Sequence, residues 1–251
     1  MKKLAFVTDL DGTINHAAPL PDGLLIRGRR TDSYLSRQTL ALLLELAKLT
    51  DVYIATGRSL AGTADFREHF AEAGLRIAGW ILEHGAVIDQ HPAWQESVLA
   101  DIDLAAVRSQ LEELAQQHGW AMKMESESSH QAVLRCAVRE PVFLKHLSAR
   151  LADQFRIVAE PGKIVFVPKQ GEKYAAFQAL FGTTHCITCA AGDSPDDLTL
   201  LQQATFPLTL AGAAPVVQQS VRQHGGFIAA SAGHAGTAAM LEAALAQFRK
   251  V

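Results

Sequence analysis

Two carboxylates on alternate residues, Asp9 and Asp11 in Asp9-Leu10-Asp11-Gly12-Thr13, follow the apolar run Leu4-Ala5-Phe6-Val7-Thr8. In an extended strand residues i and i+2 point to the same side, so both acids face one small volume as the strand enters a turn that Gly12 permits. Carboxylates held that close repel each other, and a divalent cation is the usual way to keep both ionised. One acid can then attack an electrophile while the other moves a proton. That is the chemistry of phosphoryl transfer. By itself an Asp-x-Asp turn is equally a solvated Asx-turn, and the rest of the chain has to decide.

Three later segments supply what such a site lacks. Ala55-Thr56-Gly57-Arg58 follows the apolar Val52-Tyr53-Ile54. Lys173 sits in Gly171-Glu172-Lys173-Tyr174-Ala175-Ala176-Phe177, a helix start. Gly192-Asp193-Ser194-Pro195-Asp196-Asp197-Leu198 follows Ile187-Thr188-Cys189-Ala190-Ala191. In order and placement the four segments resemble the motifs of the haloacid dehalogenase (HAD) superfamily of phosphohydrolases.

The resemblance implies a set of roles. Asp9 is the expected nucleophile, forming an aspartyl-phosphate, and Asp11 the acid that protonates the leaving oxygen and then activates water. The expected cofactor is Mg²⁺, a hard ion suited to carboxylate and carbonyl oxygens. Asp9, the backbone carbonyl of Asp11, and Asp193 are its expected ligands, with Asp197 beside them or coordinating directly. The Thr56 hydroxyl would hold a phosphoryl oxygen, and it also reads as an N-cap for the next helix. Gly57 lets the backbone approach closely. Lys173 would neutralise charge on the transferring group and keep Asp9 ionised. Arg58 either contacts substrate or ties down its loop. Three positions depart from the family pattern: Asp196 stands where Asn is common, Tyr174 where Gly is, and Gly212 where Asn is. The extra carboxylate of Asp196 is expected to tighten the metal site or alter its selectivity.

The elements that must position these residues alternate. Strands at Leu4–Thr8, Val52–Ala55, Gly79–Leu82, Cys186–Ala190 and Phe206–Leu210 are separated by helices near Gln38–Leu49, Ala61–Ala73 and Gly171–Phe181 and after Pro195, with a final helix at Gly236–Arg249. This predicts an α/β fold, a Rossmann-like doubly wound parallel sheet. Between residues 90 and 168 the order changes to αββαββ: helix Leu104–His118, strands Trp120–Glu125 and Gln131–Val138, helix Pro141–Asp153, strands Phe155–Ala159 and Lys163–Val167. We read this as an inserted α+β domain. The division is therefore a core from 1–89 and 169–251, and a cap from 90–168 that resembles the type IIB cap of Cof-type, sucrose-phosphate, trehalose-phosphate and mannosyl-3-phosphoglycerate phosphatases. Leu82-Glu83-His84-Gly85-Ala86 is similar to the Glu-Asn-Gly-Ala found there after the third core strand. The long connection from Ile14 to about Arg37 is expected to form a flap beside the site.

Bulk properties narrow the partners. A chain of 251 residues, 49% hydrophobic and 20% charged, is an ordinary globular composition. A net charge of -3 gives no reason to expect nucleic acid or an anionic membrane, and no apolar run approaches the ~20 residues of a span. A cytoplasmic protein is expected; oligomeric state is not legible. Cys186-Ile187-Thr188-Cys189 has redox or zinc spacing, but on a strand i and i+3 face opposite sides, so buried thiols are expected. The expected partner is a small phosphorylated metabolite, a sugar or polyol phosphate. Lys123, His130, Arg135, Arg27, Arg29 and Arg30 are candidates for selecting it, each more simply read as a solvated charge. The alternatives are a phosphosugar mutase of the phosphomannomutase type, for which the arginines Arg108, Arg135, Arg139, Arg150 and Arg156 are few, and a catalytically silent binding module.

Overall fold

β1 (Lys3–Thr8) is apolar on both sides because both sides are covered. Phe6 packs with the helices over Arg37–Ala47 and Gly233–Phe248, through Leu43, Leu46, Met240 and Leu241. Ala5 and Val7 point the other way, onto Phe177, Leu200, Leu201, Val217 and Val221. The alternation of side chains along one strand thus feeds two cores, one on each face of the sheet. The computed structural model describes residues 2–28, 31–125, 131–138, 151–160 and 163–250.

The main sheet also contains β5 (Asp51–Ala55), β6 (Gly79–Leu82), β7 (Val87–Ile88), β12 (His185–Ala191), β13 (Phe206–Leu210) and β14 (Phe227–Ala229). Its order is β14-β13-β12-β1-β5-β6-β7, parallel throughout except for the antiparallel edge strand β7. The chain leaves β1 toward β5 on one side, while β12 lies against it on the other. In open α/β sheets this reversal opens a crevice at the carboxyl ends of the strands. Asp9, Thr56 and Asp193 all sit just beyond such ends, at β1, β5 and β12.

The connection after β1 holds more structure than the expected flap. β2 (Asn15–His16), β3 (Leu24–Ile26) and β4 (Ser33–Leu35) form a small antiparallel sheet in the order β2-β4-β3. Its apolar residues Ile14, Ile26 and Leu35 are spaced too sparsely to signal strands, yet all three join the main core. Arg29 and Arg30 lie outside the described residues, and Arg27 is an exposed partner of Asp65.

A second sheet runs β10-β11-β9-β8, antiparallel, from β8 (Met122–Met124), β9 (Leu134–Val138), β10 (Phe155–Glu160) and β11 (Lys163–Pro168). One face carries Leu134, Cys136, Phe155 and Phe166 onto Val107, Leu111 and Leu114 of the helix Leu104–His118. Asp103 caps that helix and Gly119, at φ +63°, ends it. Val165 and Val167 on the other face pack into the main core. Much of the expected helix Pro141–Asp153 lies outside the described residues. Two short helices, Pro92–Val98 and Pro215–Gln223, were not anticipated; each begins on a proline at its favoured first position.

Candidate active site

The turn after β1 is built to present its acids. Leu10 is fully buried between them, Asp9 turning inward to Lys173 and Asp11 outward to Arg58. Gly12 adopts φ +79°, and a Cβ there would stand 2.3 Å from Asp193 Oδ2, so the turn closes directly on the β12 loop. The Asp9 amide donates to the Ala191 carbonyl at 3.0 Å, which ties the two strand ends together.

Lys173 is the centre of the charge arrangement. It is 2% exposed, and its Nζ donates to Asp9 Oδ1 at 2.9 Å and Asp197 Oδ1 at 2.6 Å, with Asp196 Oδ2 at 3.6 Å. Burial disfavours its charge, but Asp197, Asp9 and Asp196 outweigh burial and raise its pKa well above the ordinary lysine value. Asp197 is the organiser of its own loop. Its Oδ2 accepts from the Asp193 and Ser194 amides and the Ser194 hydroxyl, at 3.0 to 3.1 Å.

Oxygens of Asp9, Asp193 and Asp197 lie within 4.8 Å of one another. Burial first, then the neighbouring carboxylates, push the pKa of Asp9 well above its ordinary value despite Lys173. Burial and Asp197 push Asp193 to about 6, against the Thr13 hydroxyl at 3.1 Å and Lys173. Among the described residues, Asp9, Asp193 and Asp197 cluster around one buried cation, Lys173, which is paired with Asp9 and Asp197. Excess negative charge and an all-oxygen donor set fit a hard divalent cation such as Mg²⁺.

Asp11 faces the opening, its side chain 48% exposed. Arg58 grips it with two hydrogen bonds of 2.6 Å, and Asn15 Nδ2 donates to it at 3.1 Å. Burial would raise its pKa, but Arg58 and Asn15 outweigh that and lower it. Arg58 also donates to the Gly62 carbonyl at 2.9 Å. It therefore ties down its loop and engages Asp11 at once.

Thr56 is buried, and its Oγ1 accepts from the Arg58 amide at 3.2 Å. The N-cap expectation for Thr56 is corrected: a loop intervenes before the helical turn at Ala61–Thr63, and Ser59 Oγ accepts there from the Gly62 amide. Gly57 does permit a close approach, but of protein. A Cβ would lie 2.4 Å from the His84 ring, and the Gly57 carbonyl accepts from Arg135.

Two sequence expectations change here. Arg135 is buried rather than solvated. Asp196 does not join the carboxylate cluster. It accepts from His84 Nδ1 at 2.9 Å and from Arg156 on β10. Burial would raise its pKa, but Lys173, His84 and Arg156 hold it below the usual carboxylate range. Beside Gly212, Gln218 Nε2 donates to the Ala211 and Ala213 carbonyls at 2.9 and 3.0 Å. Lys123 is exposed, and His130 lies outside the described residues. The expectation of buried thiols holds for Cys189 and is corrected for Cys186, which is exposed; Cys136 is buried, and all three are free.

No protein-family model and no curated protein matches the chain by sequence. Solved structures do. The sucrose-phosphatase of Synechocystis, with sucrose and phosphate bound, superposes with a TM-score of 0.66 at 20% identity over 99% of both chains. A haloacid dehalogenase-like hydrolase from Bacteroides thetaiotaomicron gives 0.64 at 14% identity, over 96% of this chain and 99% of that one. The chain has the haloacid dehalogenase fold. A HAD subclass IIB sugar phosphatase matches in the same way, with a TM-score of 0.63 at 15% identity over 96% of this chain and 99% of that one. In this fold Asp9, Lys173 and Asp193 come together from three separate segments, and Thr56 stands at the end of the neighbouring strand β5.

Proposed function

We propose that the protein is a Mg²⁺-dependent phosphomonoester hydrolase acting on a small phosphorylated metabolite, a sugar or polyol phosphate. The observation that carries this reading is Lys173, buried between Asp9 and Asp197 at the switch point of the sheet. Asp9 is the nucleophile: its carboxylate oxygen bonds to phosphorus while the bond to the leaving oxygen breaks. Lys173 neutralises charge on the equatorial phosphoryl oxygens, and the Thr56 hydroxyl and the Gly57 and Arg58 backbone line the same end of β5. Asp11 serves the leaving oxygen as acid and then takes a proton from the water that cleaves the aspartyl-phosphate. Because Arg58 holds Asp11 ionised, the acid half requires Arg58 to turn from Asp11 to the incoming phosphoryl group. Asp9, Asp193 and the Asp11 carbonyl would hold Mg²⁺, with Asp197 fixing their loop; the ion would supply charge neutralisation at the phosphoryl oxygens.

Residues 90–168 act in this reading as a cap over a core formed by 1–89 and 169–251, excluding water during transfer. The relatives' printed activities, on sucrose phosphate and sugar phosphates, support a neutral polyol as the leaving group. Arg135 and Arg156 also favour a hydrolase over a bisphosphate-retaining mutase, because both are engaged by protein acceptors.

Phosphate release from sugar, polyol and nucleotide monophosphates, with Mg²⁺ and with EDTA, tests the proposal. Metal-dependent release is expected on sugar or polyol esters. Asp9→Asn should lower it by on the order of a thousandfold or more, with the circular dichroism spectrum unchanged. An undiminished rate in that variant, or no release from any ester, sinks the reading.

A further inference from the structure

The turn Glu83-His84-Gly85 holds three successive residues at positive φ, +50°, +63° and +103°. Two of them are not glycine, and such strained backbone persists only where its surroundings enforce it. Every residue of this turn grips something outside β6 and β7. Glu83 accepts the backbone amides of Gln131 and Ala132, at 2.7 and 2.8 Å, from the segment entering β9. His84 lies between Asp196, at 2.9 Å from Nδ1, and the Arg135 guanidinium, at 3.4 Å from Nε2. A donor at Nε2 and an anion at Nδ1 define a neutral ring protonated on Nδ1. Gly85 packs so tightly on the start of the Lys173 helix that a Cβ would stand 2.2 Å from the Glu172 carbonyl carbon and 2.5 Å from the Lys173 nitrogen.

Arg156 closes the arrangement from β10. It donates to Asp196 and, at 3.3 Å each, to the carbonyls of His84 and Gly171. One side chain of the second sheet thus bridges three loops of the main sheet, and its anionic partner Asp196 lies 3.6 Å from Lys173 Nζ.

We propose that Asp196, His84 and Arg156 form a latch through which docking of the β8–β11 sheet sets Lys173 in place, Asp196 being a positioning residue for Lys173. The role given to Lys173 rests on the function proposed above; the latch itself does not.

Backbone exchange tests the latch without turnover, because the Gln131 and Ala132 amides are held by a main-sheet carboxylate. In Arg156→Gln and in Asp196→Asn, these amides should exchange roughly ten- to a hundredfold faster, as expected for losing a charge-assisted bond, while β1 and β12 stay protected. The double variant should accelerate exchange by less than the product of the two single effects, since the Arg156–Asp196 pair is common to both. Unchanged exchange in Arg156→Gln, or fully additive acceleration in the double variant, overturns the latch. Arg156 is partly exposed, so its variant decides the matter even if Asp196→Asn does not fold. Positioning is read with p-nitrophenyl phosphate and Mg²⁺. Asp196→Asn should lower kcat roughly tenfold with KM changed less than threefold, and a loss confined to KM refutes the positioning role. A wild-type protein that cleaves no ester sinks the proposed function, and exchange still decides the latch.

Discussion

Replacing Lys173 by Met isolates the charge at the centre of the site. The two side chains have similar length and volume, so packing around Phe177 and Ala176 is kept and little cavity cost is expected. What is lost is the only cation among the described residues within hydrogen-bond distance of Asp9 and Asp197, at 2.9 and 2.6 Å. Breaking a buried ion pair by removing one partner costs about 3–5 kcal/mol, because a desolvated charge is left behind. For a chain of this size each kcal/mol lowers Tm by about 2–4 °C, so the variant should melt about 6–20 °C below wild type at pH 7. The sign of the pH effect follows from Asp9, whose folded pKa already lies above the unfolded value. A carboxyl with a raised folded pKa stabilises fully below its unfolded pKa, and that contribution is lost as pH rises through the folded value. Removing Lys173 raises the folded pKa further, so the penalty concentrates at neutral pH and the gap in Tm should narrow at pH 5. Scanning calorimetry without divalent cations at pH 7 and pH 5 measures both. A Tm loss below about 2 °C at pH 7, or a gap that does not shrink by pH 5, would refute the account of a buried lysine holding the carboxylates.

Two further outcomes follow from titrating groups away from that cluster. His16, its pKa lowered to about 4 by burial and by His234, favours the fold above its unfolded pKa near 6.5; this contribution is lost as pH falls toward 4. Urea melts at pH 7 and 5 should show His16→Gln losing less stability on acidification than wild type; equal losses would contradict it. Burial pushes Cys136 and Cys189 to about 12, whereas Cys186 is exposed. Ellman's reagent at pH 8 should therefore meet one fast thiol in the native protein and three after denaturation; more than one fast thiol would show that the strand interior is open.

Strands β1, β5, β6, β12 and β13 were legible because a strand covered on both faces must be a short, continuous apolar run, which few other elements produce. Phe206–Leu210 and Gly79–Leu82 match their sequence bounds residue for residue. The three short strands β2, β3 and β4 escaped because two or three residues do not establish a period, and their pairing is set by the core beneath them. The expected strand Trp120–Glu125 is Met122–Met124, an edge strand; the Trp120 amide instead donates to the Ala115 carbonyl and closes the preceding helix.

The placement of the acids and the lysine was legible in the chain itself. Asp9, Asp11, Thr56, Lys173 and Asp193 each follow a strand or open a helix, and that local position aims the side chain at a strand's carboxyl end whatever the rest of the fold does. Partner choice was another matter. Arg58 on Asp11, His84 on Asp196 and Arg156 across three loops join residues 47, 112 and 40 positions apart. An arginine on a strand pattern reads the same whether it meets water or a buried carboxylate, because a charge's energy depends on what desolvates it and what faces it. Those are properties of the packed sheets, and only the tertiary structure could decide them.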